Sequence, residues 1–335
     1  MRKRSMTRGV IMANHESQSD FTPVLESGLY VPSGYDQELL TPDWSLQETR
    51  MKVGHRTVSI VLAGGGATGL GWNAGALKGI EDFGVDVRDT QMLGTSAGSG
   101  AASFAAAGIE FEDVAELKQF GWPGSLKPGF LEGMYTDILG DTKASNVEAM
   151  VWRMGSLDPR HKPGLEKLSG AEVKLAKLAA ASCTVPFVFS PVRKGPDFYV
   201  DGGVGGSMGH IRLAPEADDV MVVAPMAEHF MPPLGQIFER HMMWEMDKWQ
   251  EEHDGNVVYL RPNREIAGEV ANLVDVFNVE KGKKIYNLSR DYIGKILDDY
   301  VGDRGNVSLE QIVGRLAMHK QFTTKAYFEG LSTAA

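Results

Sequence analysis

The chain has 335 residues, a formal net charge of -10 and 43% hydrophobic residues, an ordinary composition for a globular protein with a substantial core. The acidic balance argues against nucleic acid as a partner, because phosphate binding needs clustered lysine and arginine. It also argues against electrostatic adhesion to anionic lipid. The single cysteine, Cys183, excludes an internal disulfide and a multi-cysteine metal site.

The first part of the chain is polar. Residues 1–52 contain scattered prolines and acids without a sustained apolar period, so we predict an N-terminal arm there. The apolar run at residues 10–13 is too short for a secretory signal peptide, and no later stretch reaches the ~18 apolar residues that a membrane helix needs. We therefore expect a cytoplasmic protein that touches a membrane, if at all, peripherally and through apolar groups.

A β-α-β unit follows the arm. Residues 57–63 form a β-branched apolar run that is typical of a central strand buried on both faces, and glycines end it. Apolar residues near helical spacing predict a helix over 69–81, and the short run at 92–93 predicts a second strand. Such a unit gives neighbouring parallel strands joined by a right-handed crossover.

The second strand leads into the sequence Gly94-Thr95-Ser96-Ala97-Gly98, which has the form G-x-S-x-G. The small residues 97–107 favour a helix, so the order is strand, turn, helix, as in a nucleophile elbow. Gly94 and Gly98 let the backbone turn tightly, and the hydroxyl of Ser96 then lies beside a helix N-terminus. Ser96 is therefore the candidate nucleophile.

The glycine run after the first strand has two interpretations. Its spacing, Gly64-x-Gly66-x-x-Gly69, matches a dinucleotide-binding fingerprint. That function needs an acidic residue at the end of the second strand, but this strand ends in Gly-Thr-Ser. We favour the second interpretation, in which backbone N–H groups of the glycine run converge on an oxyanion.

The candidate base is an aspartate. Residues 198–200 form an aromatic and β-branched strand that ends in Asp201, Gly202 and Gly203. An aspartate in a tight turn at a strand end can face a serine directly. The alternative is a Ser-His-Asp carboxylesterase, for which His210 is the rival base, but that arrangement leaves the Asp-Gly-Gly sequence unexplained.

These segments together resemble the patatin-like phospholipase family. The resemblance rests on GGGATG at 64–69, GTSAG at 94–98, DGG at 201–203 and the A-S-C-T-V-P segment at 181–186, and it extends over about residues 56–226. It implies an α/β fold, a three-layer α/β/α sandwich with a mostly parallel central sheet. It also implies a serine hydrolase of phospholipase A, lysophospholipase or acylglycerol lipase type. The residues that it assigns are Ser96 as nucleophile, Asp201 as base, and Gly65, Gly66 and Ala67 as donors of the oxyanion hole.

Two features differ from the family pattern. Members often carry Arg or Lys in the glycine loop, where this chain has Thr68. Residues 103–185 lack a β-branched run, so we expect helices at 110–119 and 147–154 and a smaller sheet. Both features favour an alternative function, a patatin-like interaction module with residual or no catalysis, whereas the presence of both Ser96 and Asp201 opposes it.

The remaining segments complete an α/β domain. We predict strands at 220–225 and 256–260 with a helix at 234–250 between them, so that the hydrolase domain spans 53–270. Residues 271–335 are predicted to form a helical extension packed on the domain, which is also a candidate homodimer contact. No His or Cys cluster has metal-ligand spacing, so we expect neither a metal nor a cofactor. The resemblance implies a lipid or acyl ester as substrate.

Overall fold

The computed structural model describes residues 56–115, 126–227, 230–231 and 234–323. The predicted arm, residues 1–52, lies outside these ranges, and the domain boundaries at 52 and 270 stay predictions. None of the helices in the described ranges is long and apolar enough to cross a bilayer.

One eight-stranded mixed sheet forms the centre of the described residues. Its strands are β1 (Val58–Leu62), β2 (Gln91–Thr95), β3 (Val147–Ser156), β4 (Gly164–Ser169), β5 (Val192–Lys194), β6 (Asp197–Asp201), β7 (Asp219–Val223) and β8 (Val257–Leu260). They lie in the order β5-β6-β3-β2-β1-β7-β8, with β4 paired to β3 off this path. The pairs that join β3, β2, β1, β7 and β8 are parallel, whereas those of β4, β5 and β6 are antiparallel.

Helices cover both faces of this sheet, as a three-layer α/β/α sandwich requires. They are α1 (Gly66–Asp82), α2 (Ala97–Ala107), α3 (Phe111–Ala115), α4 (Phe130–Leu139), α5 (Leu175–Ser182), α6 (Leu234–Glu252), α7 (Arg264–Gly268), α8 (Val279–Tyr300) and α9 (Leu309–Ala317). Alternate residues of β1 enter two separate cores: Ile60 and Leu62 pack with α1, α2 and α8, whereas Val61 packs with the methionines of α6. The predicted fold class is therefore confirmed.

The strand order reverses between β1 and β7. From β1 the chain moves through α1 to β2 and through α2 to β3 in one direction, whereas β7 and β8 extend the sheet in the other direction with α6 on the opposite face. Open α/β sheets bind ligands at the carboxyl ends of the strands next to such a reversal. The carboxyl edge at β1, β2 and β7 is therefore where a site is expected.

The expected helix at 147–154 is wrong, because Val147–Ser156 is the strand β3. The strand is central and pairs along both of its edges, and Ala149, Met150 and Val151 are fully buried. A short apolar run of this kind does not distinguish strand from buried helix, so pairing partners decide. Together with β4, this strand also corrects the expectation of a smaller sheet. The helix expected at 110–119 is present as Phe111–Ala115, and residues 116–119 lie outside the described ranges.

A glycine stripe brings α1 and α8 into close contact. Gly71, Gly75 and Gly79 are four residues apart and therefore lie on one face of α1. A Cβ added at Gly71 would lie 2.1 Å from the carbonyl oxygen of Gly282, and one at Gly75 would lie 2.1 Å from Ser289 Oγ. The backbones thus approach more closely than any side chain on α1 would allow.

We expect Gly75→Ala to lower the free energy of unfolding by about 1–3 kcal/mol, since the added methyl group overpacks the α1–α8 contact. The matched control is Gly133→Ala in α4, where the added Cβ has nothing within 4 Å. That change should raise stability by about 0.5–1 kcal/mol, because it lowers the backbone entropy of the unfolded chain. Urea unfolding measures both, and a shift of the same sign in the two variants would contradict the close-packing account.

Candidate active site

Ser96 lies between the end of β2 and the start of α2, and its backbone is strained. Its φ of 52° and ψ of -124° place a non-glycine residue at positive φ, and its exposed fraction is 8%. The flanking glycines are needed for close approach: a Cβ at Gly98 would lie 1.9 Å from the carbonyl oxygen of Leu62. A Cβ at Gly94 would lie 2.3 Å from Ser99 Cα. The local geometry is the sharp strand-to-helix turn that the sequence predicts.

Hydrogen bonds to neighbouring residues hold this strained backbone in place. The N–H of Ser96 donates to Ser182 Oγ at 2.9 Å, and the Ser182 hydroxyl donates in turn to the carbonyl of Met150 at 2.7 Å. The carbonyl of Ser96 accepts from Ser99 Oγ at 2.7 Å and from Cys183 Sγ at 3.0 Å. Both polar backbone groups of Ser96 are therefore fixed by buried or half-buried side chains.

Asp201 reaches Ser96 because β2 and β6 approach each other end to end along one edge of β3. Thr95, the last residue of β2, pairs with Met150, and the next residue of β3, Val151, pairs with Asp201. The two strands run toward each other, so both carboxyl ends meet at this point. Ser96 follows Thr95 directly, so its hydroxyl and the Asp201 carboxylate lie at the same junction, close enough for the hydroxyl to affect the pKa of Asp201.

The carboxylate of Asp201 is buried, with an exposed fraction of 6%. Burial raises its pKa to about 6, while hydrogen bonds from the Ser96 hydroxyl and the Gly203 N–H act in the opposite direction. The Gly203 N–H donates to Oδ1 at 2.8 Å, and the Asp201 N–H donates to the carbonyl of Thr184 at 2.8 Å. The group is thus ionised near neutral pH and more basic than an ordinary carboxylate.

The glycine loop lies beside Ser96 at the end of β1. A Cβ added at Gly64 would lie 3.3 Å from Ser96 Cβ, which places the loop in contact with the elbow. Gly66 has a φ of +62° and opens α1, and in the described ranges the N–H groups of Gly65, Gly66 and Ala67 donate to no other protein group. Free N–H groups at the start of a long helix favour negative charge.

Contacts with other segments set the conformation of this loop. A Cβ at Gly65 would lie 2.6 Å from Pro225 Cγ, and one at Gly66 would lie 2.6 Å from both Val276 Cγ1 and the Val276 carbonyl oxygen. Thr68, which stands where the family often has a cation, is buried, and its hydroxyl lies 3.4 Å from the carbonyl oxygens of Gly65 and Val276. Thr68 therefore faces the C-terminal segment. Gly69, the last glycine of the loop, packs against Pro225.

His210, the rival base, is buried behind the Asp-Gly-Gly turn. Its Nε2 lies 3.1 Å from the carbonyl oxygen of Gly202, and its own N–H donates to Ser207 Oγ at 2.9 Å. Burial lowers the pKa of its imidazole, so the ring is neutral and Nε2–H donates to Gly202. This contact gives His210 a role in anchoring the turn.

Three residues around the elbow were not predicted from the sequence: Ser182, Cys183 and Tyr135. The A-S-C segment contains the first two and could have indicated them, whereas nothing in the sequence indicated Tyr135. The Tyr135 hydroxyl lies 3.2 Å from Cys183 Sγ. Burial raises the pKa of the Cys183 thiol to about 12, so this cysteine stays protonated. It is a hydrogen-bond donor to the elbow and a poor nucleophile.

The fold described above agrees with the result of a comparison with known protein families. The family model described as patatin-like phospholipase matches residues 114–210, which confirms the resemblance seen in the sequence. The match includes β3 to β6, the A-S-C segment and Asp201, whereas Ser96 and the glycine loop precede it. A search of curated proteins found no match. This part of the chain is therefore similar to patatin-like phospholipases, a family of lipid acyl hydrolases.

We expect Ser182→Ala to lower the free energy of unfolding by about 1–3 kcal/mol, because the buried Ser96 N–H and Met150 carbonyl both lose their partner. The matched control is Ser103→Ala, since the buried Ser103 hydroxyl only bonds back to Ser99 O within α2. That change should cost less than about 1 kcal/mol. Chemical denaturation measures both, and equal losses would contradict the proposed support of the elbow.

Proposed function

We propose that this protein is a serine acyl hydrolase that cleaves carboxylic ester bonds of lipids. Ser96 is the nucleophile, Asp201 is the base, and the glycine loop forms the oxyanion hole. The observation that carries the proposal is the junction where β2 and β6 meet, which places Ser96 and the buried Asp201 carboxylate side by side. A serine is a weak nucleophile until an adjacent base takes its proton.

The reaction has two halves. In the first, Ser96 Oγ attacks the ester carbonyl carbon while Asp201 accepts the hydroxyl proton, and the resulting oxyanion lies against the N–H groups of Gly65, Gly66 and Ala67. Collapse of the tetrahedral intermediate breaks the ester C–O bond, and the alcohol leaves with the proton held by Asp201. In the second half, Asp201 takes a proton from water as the water oxygen attacks the acyl carbon. Collapse of this second tetrahedral intermediate breaks the bond between the acyl carbon and Ser96 Oγ, Asp201 returns the proton to Ser96 Oγ, and the fatty acid leaves.

The local electrostatics support each role. A base works best with a pKa near the operating pH, and burial brings the pKa of Asp201 to about 6. Backbone donors at an oxyanion contribute about 3 kcal/mol each to lowering the barrier. Because Thr68 is buried against Val276, the proposed hole uses N–H groups without help from a side-chain cation at that position.

The alternatives have weaker support. The expected absence of strands between residues 103 and 185 favoured an inactive interaction module. The structure contains β3 and β4 in this range, so that support is lost. A Ser-His-Asp esterase needs a histidine that is free to reach the serine, but His210 bonds to the carbonyl of Gly202. A dinucleotide site needs an acid where Ser96 lies. The cytoplasmic location and the homodimer through the C-terminal helices stay predictions.

The direct test is kinetic, with a dissolved short-chain ester as substrate. Ser96→Ala and Asp201→Asn should each lower kcat by roughly 10³-fold or more, since each removes a group that acts only in the chemical step. The matched control is Asp197→Asn, at the other end of β6, where the carboxylate pairs with His161. It should keep kcat within about tenfold of the parent. Wild-type-like rates for Ser96→Ala would contradict the assignment.

The pH dependence of kcat/KM gives a second test. Because Asp201 must be ionised to accept a proton, activity should fall below an apparent pKa near 6 and decrease about tenfold per pH unit at lower pH. Above that pKa the carboxylate is charged and the rate should be level. A pH–rate profile of the parent measures the inflection. An inflection that disappears in His210→Ala instead of in Asp201→Asn would identify histidine as the base.

A further inference from the structure

Several exposed apolar side chains lie at or beyond the carboxyl edge of the sheet. In the described ranges, large apolar residues that are exposed at the carboxyl edge of the sheet or on the strands that project beyond it include Met154, Leu157, Phe187, Val204, Leu273 and Val274. Exposed apolar residues away from this edge include Leu213 and Met318. Grouped exposed apolar residues on a soluble domain indicate an interaction surface.

The segments that flank the Ser96–Asp201 pair carry no charge. Residues 183–191 and 202–209 contain no Asp, Glu, Lys or Arg. A protein partner recognised by charge would find no complementary group on these segments, and the net charge of -10 disfavours anionic lipid. Electrically neutral, apolar segments fit the surface of a neutral or zwitterionic lipid aggregate.

A short turn at residues 271–275, named here the Leu273 turn, directly precedes Val276, which packs on Gly66 of the proposed oxyanion hole. The exposed fractions of Leu273 and Val274 are 64% and 70%. The side chain of Asn272 accepts hydrogen bonds from the N–H groups of Val274 and Asp275 at 2.9 and 3.2 Å. Asp275 accepts from the N–H of Ala271 at 2.9 Å.

The charge of the Leu273 turn is neutralised within the fold. Asp275 pairs with Lys281 at 2.8 Å, and its carboxyl side chain is 13% exposed. The polar side chains of the turn therefore bond to other groups of the protein, while two adjacent apolar side chains are exposed to solvent. A rigid turn of this kind loses little conformational entropy when it enters a lipid surface.

The Leu273 turn is linked to Ser96 through two contacts of the glycine loop. Val276, one residue beyond it, contacts Gly66, and Gly64 contacts Ser96, so only the glycine loop separates the turn from the candidate nucleophile. We infer that Leu273 and Val274 insert into the surface of a neutral or zwitterionic lipid aggregate and hold the Ser96 pocket at that surface. The inference rests on the proposed function, because it supplies the ester substrate from the lipid phase.

Vesicle binding tests this inference separately from catalysis. The probe is phosphatidylcholine vesicles, and the full chain carries Ser96→Ala so that no lipid is consumed. Leu273→Asp with Val274→Asp should lower the partition coefficient at least about tenfold, because two apolar side chains no longer leave water. The matched control, Leu213→Asp with Met318→Asp, changes two exposed residues away from this edge. Its partition coefficient should stay within about twofold of the parent value. Leu273→Trp should bind more tightly than the parent.

Activity measurements with Ser96 intact complete the test. The Leu273 and Val274 double variant should lose at least about tenfold in kcat/KM on vesicles while it hydrolyses a dissolved ester at the parent rate. If the parent protein binds vesicles but has no esterase activity, the docking inference is supported and the proposed function is refuted. Parent-like binding by the double variant, binding that requires anionic lipid, or a dimer that this variant abolishes would each overturn the inference.

Discussion

The structure depends on how β3 shares one edge between two strands. Met150 and Val151 are adjacent in β3, yet the first pairs with the end of β2 and the second with the end of β6. Two strands that run toward each other must stop where they meet, so the backbone turns away from the sheet at the end of β2 and again at the end of β6. One turn contains Ser96 and the other contains Asp201. The proximity of the two residues therefore follows from strand pairing as much as from local sequence.

The surrounding elements hold this junction rigid. Ser182 connects the Ser96 N–H to the Met150 carbonyl, so the elbow is fixed to the strand that creates it. The glycine stripe of α1 allows α8 to pack closely against that helix. Val276, which precedes α8, packs on Gly66 at the start of α1. The C-terminal helices thus support the N–H groups that face the proposed oxyanion. A strained serine at positive φ persists only where neighbours determine its conformation in this way.

Much of this arrangement could be predicted from the sequence, because its signals are local. The glycine run, the G-x-S-x-G turn and Asp-Gly-Gly each follow a short apolar strand. The ends of the parallel strands β1 and β2 gather at one edge of the sheet, and Asp201 reaches the same point on the antiparallel strand β6. β3 was missed because its buried apolar run has no period that separates strand from helix. The role of Thr68 was missed because its partner, Val276, is 208 residues away. The spacing of Gly71, Gly75 and Gly79 was visible and a helical C-terminal extension was expected, but nothing in the sequence showed that these two helices pack on each other.

The central claim is that Ser96 is activated by Asp201, and covalent labelling with a fluorophosphonate probe tests it most directly. The probe phosphonylates a serine only when a base raises its nucleophilicity. The account predicts one label per chain, located by peptide mass spectrometry on Ser96, and a labelling rate that falls steeply in Asp201→Asn. An unlabelled folded protein, or a label on a different serine, would contradict it.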